Sequence, residues 1–274
     1  MQKNNTEKLL ISAGAIAFAA AVWHLLCIWG GPSWYAFARA PHALIESAQQ
    51  GTYLAPAATI IVAGLMFTCS AYAFCAAGLI RKMPLTTAAL STIALICVIR
   101  ALIAVPLLIR SIELDIWQLV ASSVWLYAGI CFLIGAKQRI NERRELHLEL
   151  TFYDEFRAQF PIISNKADKA YFQQWNEELE PLFIYSWFES VAQVINNEMN
   201  AQSDAAALIK LFEYLNNQYE IADKLIQHYI DVAIVENLFW QVAPIHAKAY
   251  WQILPPTLKA LYSDFHGREP IYLS

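Results

Sequence analysis

Four stretches of this chain, residues 9–30, 53–80, 85–109 and 116–136, are almost wholly apolar. Each is as long as the roughly 20 residues a helix needs to cross the hydrocarbon core of a bilayer. Lipid offers no partner to a free backbone amide, and nothing in these runs alternates with period two. They are therefore expected to be helices, not strands of a membrane barrel. The runs explain a composition of 58% hydrophobic and 15% charged residues, too apolar for an ordinary soluble protein. All five cysteines, Cys27, Cys69, Cys75, Cys97 and Cys131, lie inside the runs at no ligand-like spacing. They read as small buried hydrophobes, and neither a metal site nor a cofactor is expected.

The start of the chain has one feature of a secretory signal: Lys3 and Lys8, then LLISAGAIAF, then Ala17-Phe18-Ala19. The run continues through AAAVWHLLCIWG to full spanning length, as the short core of a signal peptide does not, so a retained span is expected. Orientation follows from the cations, which are held on the cytoplasmic side. Lys3 and Lys8 precede the first run, Arg81 and Lys82 separate the second from the third, and Lys137, Arg139, Arg143 and Arg144 follow the fourth. The other two loops mix Arg39 and Arg110 with Glu46, Glu113 and Asp115. Both termini are expected in the cytoplasm, with Trp29, Trp34 and Trp117 near the opposite interface.

Polar residues inside the spans are few. Arg100 is the only formally charged residue within a run, and it stands as far beyond Leu85 as His24 stands beyond Leu9. Helices rising from one side would carry both to a similar depth, roughly 22 Å at about 1.5 Å per residue. Ser122 and Ser123 reach a comparable level from the far side. These four residues form either a small polar pocket for a headgroup, an anion or another helix, or a packing device. In the second case Arg100 snorkels and His24 bonds to a neighbouring helix, and that reading is preferred. With no acid in the spans and no pair of Gly/Pro-broken helices, transport is not expected. The stretches GLIRKMPL (78–85) and VIRALIAVP (98–106) resemble small four-helix bacterial membrane proteins, a likeness that implies topology and carries no chemistry.

Beyond Lys137 the pattern turns amphipathic. The order expected is a basic juxtamembrane helix over 137–150 and an acidic α-helical domain over 151–274, following a four-span domain over 1–136. Pro161 should stop the exit helix and Pro181 should open another running to Asn200. Ser203 should cap a helix lined by Leu208, Leu211, Phe212 and Leu215, followed by one over 222–240 and a last one after Pro255 and Pro256. Nothing reads as a strand pair. The fold class is all-α, a four-helix transmembrane bundle followed by a cytoplasmic bundle of about five or six helices.

Residues 151–274 hold eight cations against sixteen acids, a formal net charge of −8. That sign opposes nucleic-acid or anionic-lipid binding and suits either a solvated surface or a basic protein partner. Trp175, Tyr185, Trp187, Trp240 and Trp251 are candidate aromatic anchors, although most tryptophans of such a bundle belong to its core. No catalytic residues are expected. His147, His228, His246 and His266 lack HExxH spacing, no GxSxG elbow occurs, and the only glycine after Lys137 is Gly267, which leaves no phosphate-cradling loop.

The segment LFEYLNNQYEIADKLIQHYIDVAIVENLFW (211–240) resembles small helical bacterial domains encoded beside secreted polymorphic toxins and treated as immunity proteins. That resemblance implies stoichiometric occlusion of a toxin, with no catalytic residue to transfer. The function expected is a membrane-anchored immunity protein of the bacterial inner membrane. Its partner-binding face would contain Glu177, Glu178, Glu180, Trp187, Glu213, Glu220, Asp223 and Glu236. The partners expected are a basic toxin and the lipid bilayer, with no nucleic acid; the oligomeric state is left open. The alternative is a membrane sensor or scaffold that couples a ligand near Arg100 to a cytosolic protein.

Overall fold

The computed structural model describes residues 2–102, 116–202 and 205–271, and among these every regular element is helical. In chain order the helices are α1 (Gln2–Gly30), α2 (Pro32–Phe37), α3 (His42–Gln50), α4 (Leu54–Ala76), α5 (Thr86–Leu102) and α6 (Ile116–Gln159). They continue with α7 (Pro161–Trp175), α8 (Ile184–Asn200), α9 (Ala205–Ile221), α10 (Lys224–His228), α11 (Pro244–Ile253) and α12 (Pro256–His266). The chain divides into two compact units, Met1–Glu142 and Arg143–Ser274.

Among the described residues, three helices are long and apolar enough to cross a membrane, over Asn4–Gly30, Leu54–Ala76 and Leu119–Gln159. The third apolar run forms the 17-residue helix α5, and the rest of that run, with Pro106, Arg110, Glu113 and Asp115, lies outside the described residues. The second run ends as a helix at Ala76, four residues short of its apolar end. Gly78 adopts φ +77°, its N–H returns to Cys75 O, and the Leu79 N–H returns to Phe74 O, the double closure of a Schellman motif. Hydropathy alone cannot see this stop, because Leu79 and Ile80 are as apolar as the helix they leave.

The first unit is packed through small residues. Its core is Leu10, Ala13, Ala73, Ala76, Leu90, Ile93, Ala94, Cys97, Ala128, Cys131, Phe132 and Ala136. A Cβ on Gly14 would fall 2.7 Å from the Phe74 ring, and one on Gly129 would meet Cys97 and the Val98 backbone at 3.2–3.3 Å. Close approach of small residues is how helices associate where lipid tails remove the hydrophobic incentive. Thr59, Ser70 and Ser122 are buried, while Ile60, Ile61, Leu65, Leu95, Ile96, Ile99 and Leu133 point outward. A surface of that kind is matched to lipid and not to water. The 31–53 connection, expected as a plain loop, folds into α2 and α3. Tyr35 there shares a 2.9 Å hydrogen bond with Thr59, and Trp23 stacks on Trp34 at 5.3 Å.

Helix α6 passes from the apolar run into charged sequence without a break, since neither glycine nor proline occurs between Gly135 and Pro161. Phe160, forced out of helical geometry by the ring that follows it, ends the helix at φ −126°. Pro161 then opens α7 as its first residue. The second unit is built on an aromatic core in which Phe152 and Phe156 of α6 meet Trp187 and Phe188 of α8 at ring distances of 4.8–5.9 Å. Arg157 binds both oxygens of Asp168 at 2.6 and 3.0 Å, and the Trp187 Nε1–H donates to the same carboxylate at 2.8 Å. One charge network thereby ties α6, α7 and α8. Helix α7 ends at Trp175, where Asn176 takes a left-handed φ of 54°, and the helix expected over 222–240 is broken. It runs as α10, a π-helical turn at Tyr229–Ile234 and a 3-10 turn at Val235–Asn237. Helix α11 was not anticipated, and the Ser203 cap lies outside the described residues.

Candidate partner-binding surface

The four polar residues of the apolar runs do not assemble into a linked site. His24 Nδ1 lies 2.7 Å from the carbonyl of Ala20 in its own helix, so its bond stays within α1 and reaches no neighbour. Ser123 donates to Leu119 O at 2.9 Å, likewise one turn back. Ser122 is buried with no hydrogen-bond partner for its hydroxyl among the described residues, and no ion pair or hydrogen bond joins Arg100 to another described residue. A polar contact that does bind helices of this unit together is made by Arg139, whose guanidinium donates to the helix-terminal carbonyl of Ala76 at 2.8 Å and pairs with Glu142 at 3.3 Å. It satisfies a carbonyl that the end of α4 leaves over.

The expected acidic and aromatic face of the second unit is redistributed. Trp187 has no exposed surface, so it is a core residue and cannot anchor a partner; the aromatic partners and the Asp168 bond above are why. Trp251 is likewise buried. Glu177, Glu178 and Glu180 stand exposed in the turn between α7 and α8, and Glu213 is exposed on α9. Glu220 accepts from Asn216 at 2.9 Å, and Asp223 caps α10 through the Leu225 N–H at 3.2 Å, with Arg144 4.0 Å away. Asp223 thus has a structural task. Glu236 is half-buried at the 3-10 turn. Desolvation, then repulsion from Asp231, raises its pKa above the ordinary 4.5, while His266 and His228 pull it back. Tyr185 lies by the same acids: burial first, then Glu189 and Glu236, push its phenol up, and the His228 ring lies 6.0 Å away.

The segment 237–243 is the most unusual backbone of this unit. Phe239 and Gln241 hold φ of 62° and 58°, left-handed values that cost a non-glycine residue about 1 kcal/mol or more each. Two asparagines one turn apart on α8 hold the segment there. Asn196 donates to Asn237 O at 2.8 Å and accepts from the Phe239 N–H at 2.8 Å. Asn200 donates to Gln241 O at 2.9 Å and accepts from the Ala243 N–H at 2.8 Å. The two amides thus serve alternate residues, as a neighbouring strand would. Between the two left-handed residues stands Trp240, 71% exposed, while Leu238, Phe239 and Val242 turn inward to the core. Beside it opens a cleft of about 350 Å³ lined by Glu236, Gln241, Tyr262, His266, Arg268 and Glu269 among others. The His266 ring, 4.2 Å from that of Tyr262, contacts the Glu236 carbonyl through Nε2 at 2.9 Å.

Such a loop presents an indole on a backbone that is already held before any partner arrives, an arrangement that suits a tryptophan at an interface. Residues 153–267 match the family model described as Domain of unknown function (DUF7674). The match opens inside α6, one residue after Phe152, whose ring belongs to the core of the second unit. No curated protein and no solved structure matches the chain. Among the described residues, no group of three or more His, Cys, Asp and Glu could hold a metal ion. The Asn196/Asn200 clamp had one legible sign in the sequence: amides at i and i+4 on the otherwise apolar face of VAQVINNEMN. What they hold lies some 40 residues away and could not be read.

Proposed function

We propose that the chain is a membrane-anchored binding protein that captures a protein partner stoichiometrically and performs no catalysis. The single observation that carries this reading is Trp240, exposed on a left-handed loop that two buried-face asparagines hold in place. The lipid-matched surface of the first unit supplies the anchor, and we read the third apolar run as a fourth span. The cations at Lys3, Lys8, Arg81, Lys82, Lys137 and Arg139 favour a cytoplasmic side for both termini. Trp29, Phe37 and Tyr53, strongly exposed where α1 and α4 face the 31–53 connection, suit the opposite interface. The excess of acids over 151–274 favours a basic partner. With the resemblance of 211–240 to immunity domains, the partner would be a toxin acting at or entering through the bacterial inner membrane, where tethering raises the local concentration of its captor.

Cells lacking this chain should die from a toxin encoded beside its gene, and cells restored with the Trp240→Ser variant should remain sensitive although the variant accumulates normally in the membrane. Equal survival of deleted and intact strains would remove the toxin reading. The sensor alternative draws on the uninterrupted 44-residue helix α6. It requires co-purification of a cytosolic regulator whose binding changes in Arg100→Ala.

A further inference from the structure

Between Lys169 and Lys210 the chain carries no lysine or arginine, and Glu177, Glu178 and Glu180 fall together within that interval. The same short segment carries apolar side chains that the fold leaves exposed. Phe172 and Trp175 are each about half exposed on the last turn of α7, and Leu182 is 81% exposed with Phe183 beside it in the 3-10 turn Pro181–Phe183. The chain reverses between them because the left-handed Asn176 returns its N–H to Phe172 O at 2.8 Å and Pro181 opens the next turn. Beneath lies Tyr171, 5% exposed, with the Trp175 ring 6.5 Å from its own. Its phenol pKa is raised by burial and then by the charges of Glu177 and Glu180. Apolar and acidic groups therefore share one small knuckle over 172–183.

Single exposed apolar residues need no explanation, but four within twelve residues that also carry three exposed carboxylates mark an interaction site. Charge selects the occupant. A second copy seated face to face would set three carboxylates against the same three. An anionic membrane surface or a nucleic acid would be repelled. We propose that the 172–183 knuckle docks a basic amphipathic helix of a partner protein, with the apolar face of that helix on Trp175 and Leu182 and its lysines or arginines against Glu177, Glu178 and Glu180. The inference rests on the reading of this unit as a protein-binding module and adds a contact separate from Trp240.

The test uses the full chain in a non-ionic detergent and a fluorescein-labelled Lys/Leu peptide of about five helical turns carrying one benzophenone. The matching Glu/Leu peptide serves as control. The Lys/Leu peptide should bind and cross-link within 171–183. Binding should weaken severalfold as NaCl rises from about 0.15 M to about 0.5 M. It should weaken about tenfold or more in Trp175→Ser/Leu182→Ser, and as much in Glu177→Gln/Glu178→Gln/Glu180→Gln. Trp240→Ser should leave it unchanged. All substituted side chains are exposed, so an unaltered melting temperature verifies the fold. Equal binding of the Glu/Leu peptide, equal binding to the knuckle variants, or cross-links confined to residues 1–136 would overturn the proposal. Those results would leave the Trp240 reading standing. Conversely, peptide binding at the knuckle together with unaltered toxin survival in deleted cells would sink the toxin reading and keep this site.

Discussion

At the scale of the residue, the second unit depends on a few side chains that join parts of the chain far apart in sequence. Asn196 is the clearest, since its one amide satisfies both the Asn237 carbonyl and the Phe239 N–H. Asn196→Ala leaves two backbone groups beside the core without partners, each costing on the order of 1–3 kcal/mol. The variant should unfold at a lower denaturant concentration and exchange its Phe239 amide hydrogen faster, with the Trp240 emission shifted as its loop loosens. Glu236 makes the opposite case, because its pKa is raised in the folded unit by desolvation and by Asp231. Its carboxyl keeps a proton in the native state that the unfolded chain has already released, so its contribution to stability is full below the ordinary value of 4.5 and is lost as pH rises through the native value. Glu236→Gln should therefore gain stability at neutral pH relative to the parent and show a flatter stability profile across the acidic range, measured by denaturant titration at each pH.

Elements were legible where the chain punctuates itself and illegible where it does not. Pro161, Pro181 and Pro256 each open a helical turn or helix as expected of a residue that lacks the N–H a first turn would waste. The 31–53 connection and α11 were missed because both are short and owe their helicity to packing, not to a long amphipathic repeat. The break at Tyr229–Ile234 was missed for a different reason: IDVAIVEN keeps its apolar spacing, and Asn237 imposes the stop by donating to the Val232 and Ala233 carbonyls at 3.0 and 3.1 Å. Helix α6 belongs to two cores at once. A fragment of residues 143–274 retains Phe152 and Phe156 and should give a cooperative thermal transition. One starting at Pro161 lacks both rings, a loss of about 3–5 kcal/mol for each large aromatic, and should melt without cooperativity or aggregate.

At the scale of the molecule, the proposed topology has a direct check. The five native cysteines all lie in the first unit, four of them buried. Asn217→Cys on the exposed side of α9 should stay unlabelled by an impermeant thiol reagent in intact cells and react once the cells are opened. Labelling of intact cells would place that unit on the other side and reverse the proposed orientation. The sequence by itself determined the all-helical class and the apolar character of the first 136 residues, because each follows from side-chain chemistry summed along one segment. It also determined the acidic balance of the remainder. Only the tertiary structure decided that Trp187 is core while Trp240 is outside, that His24 bonds within its own helix, and that α8 braces a left-handed loop. Those outcomes depend on which distant residue arrives to bury a ring or accept a hydrogen bond, and no local pattern carries that.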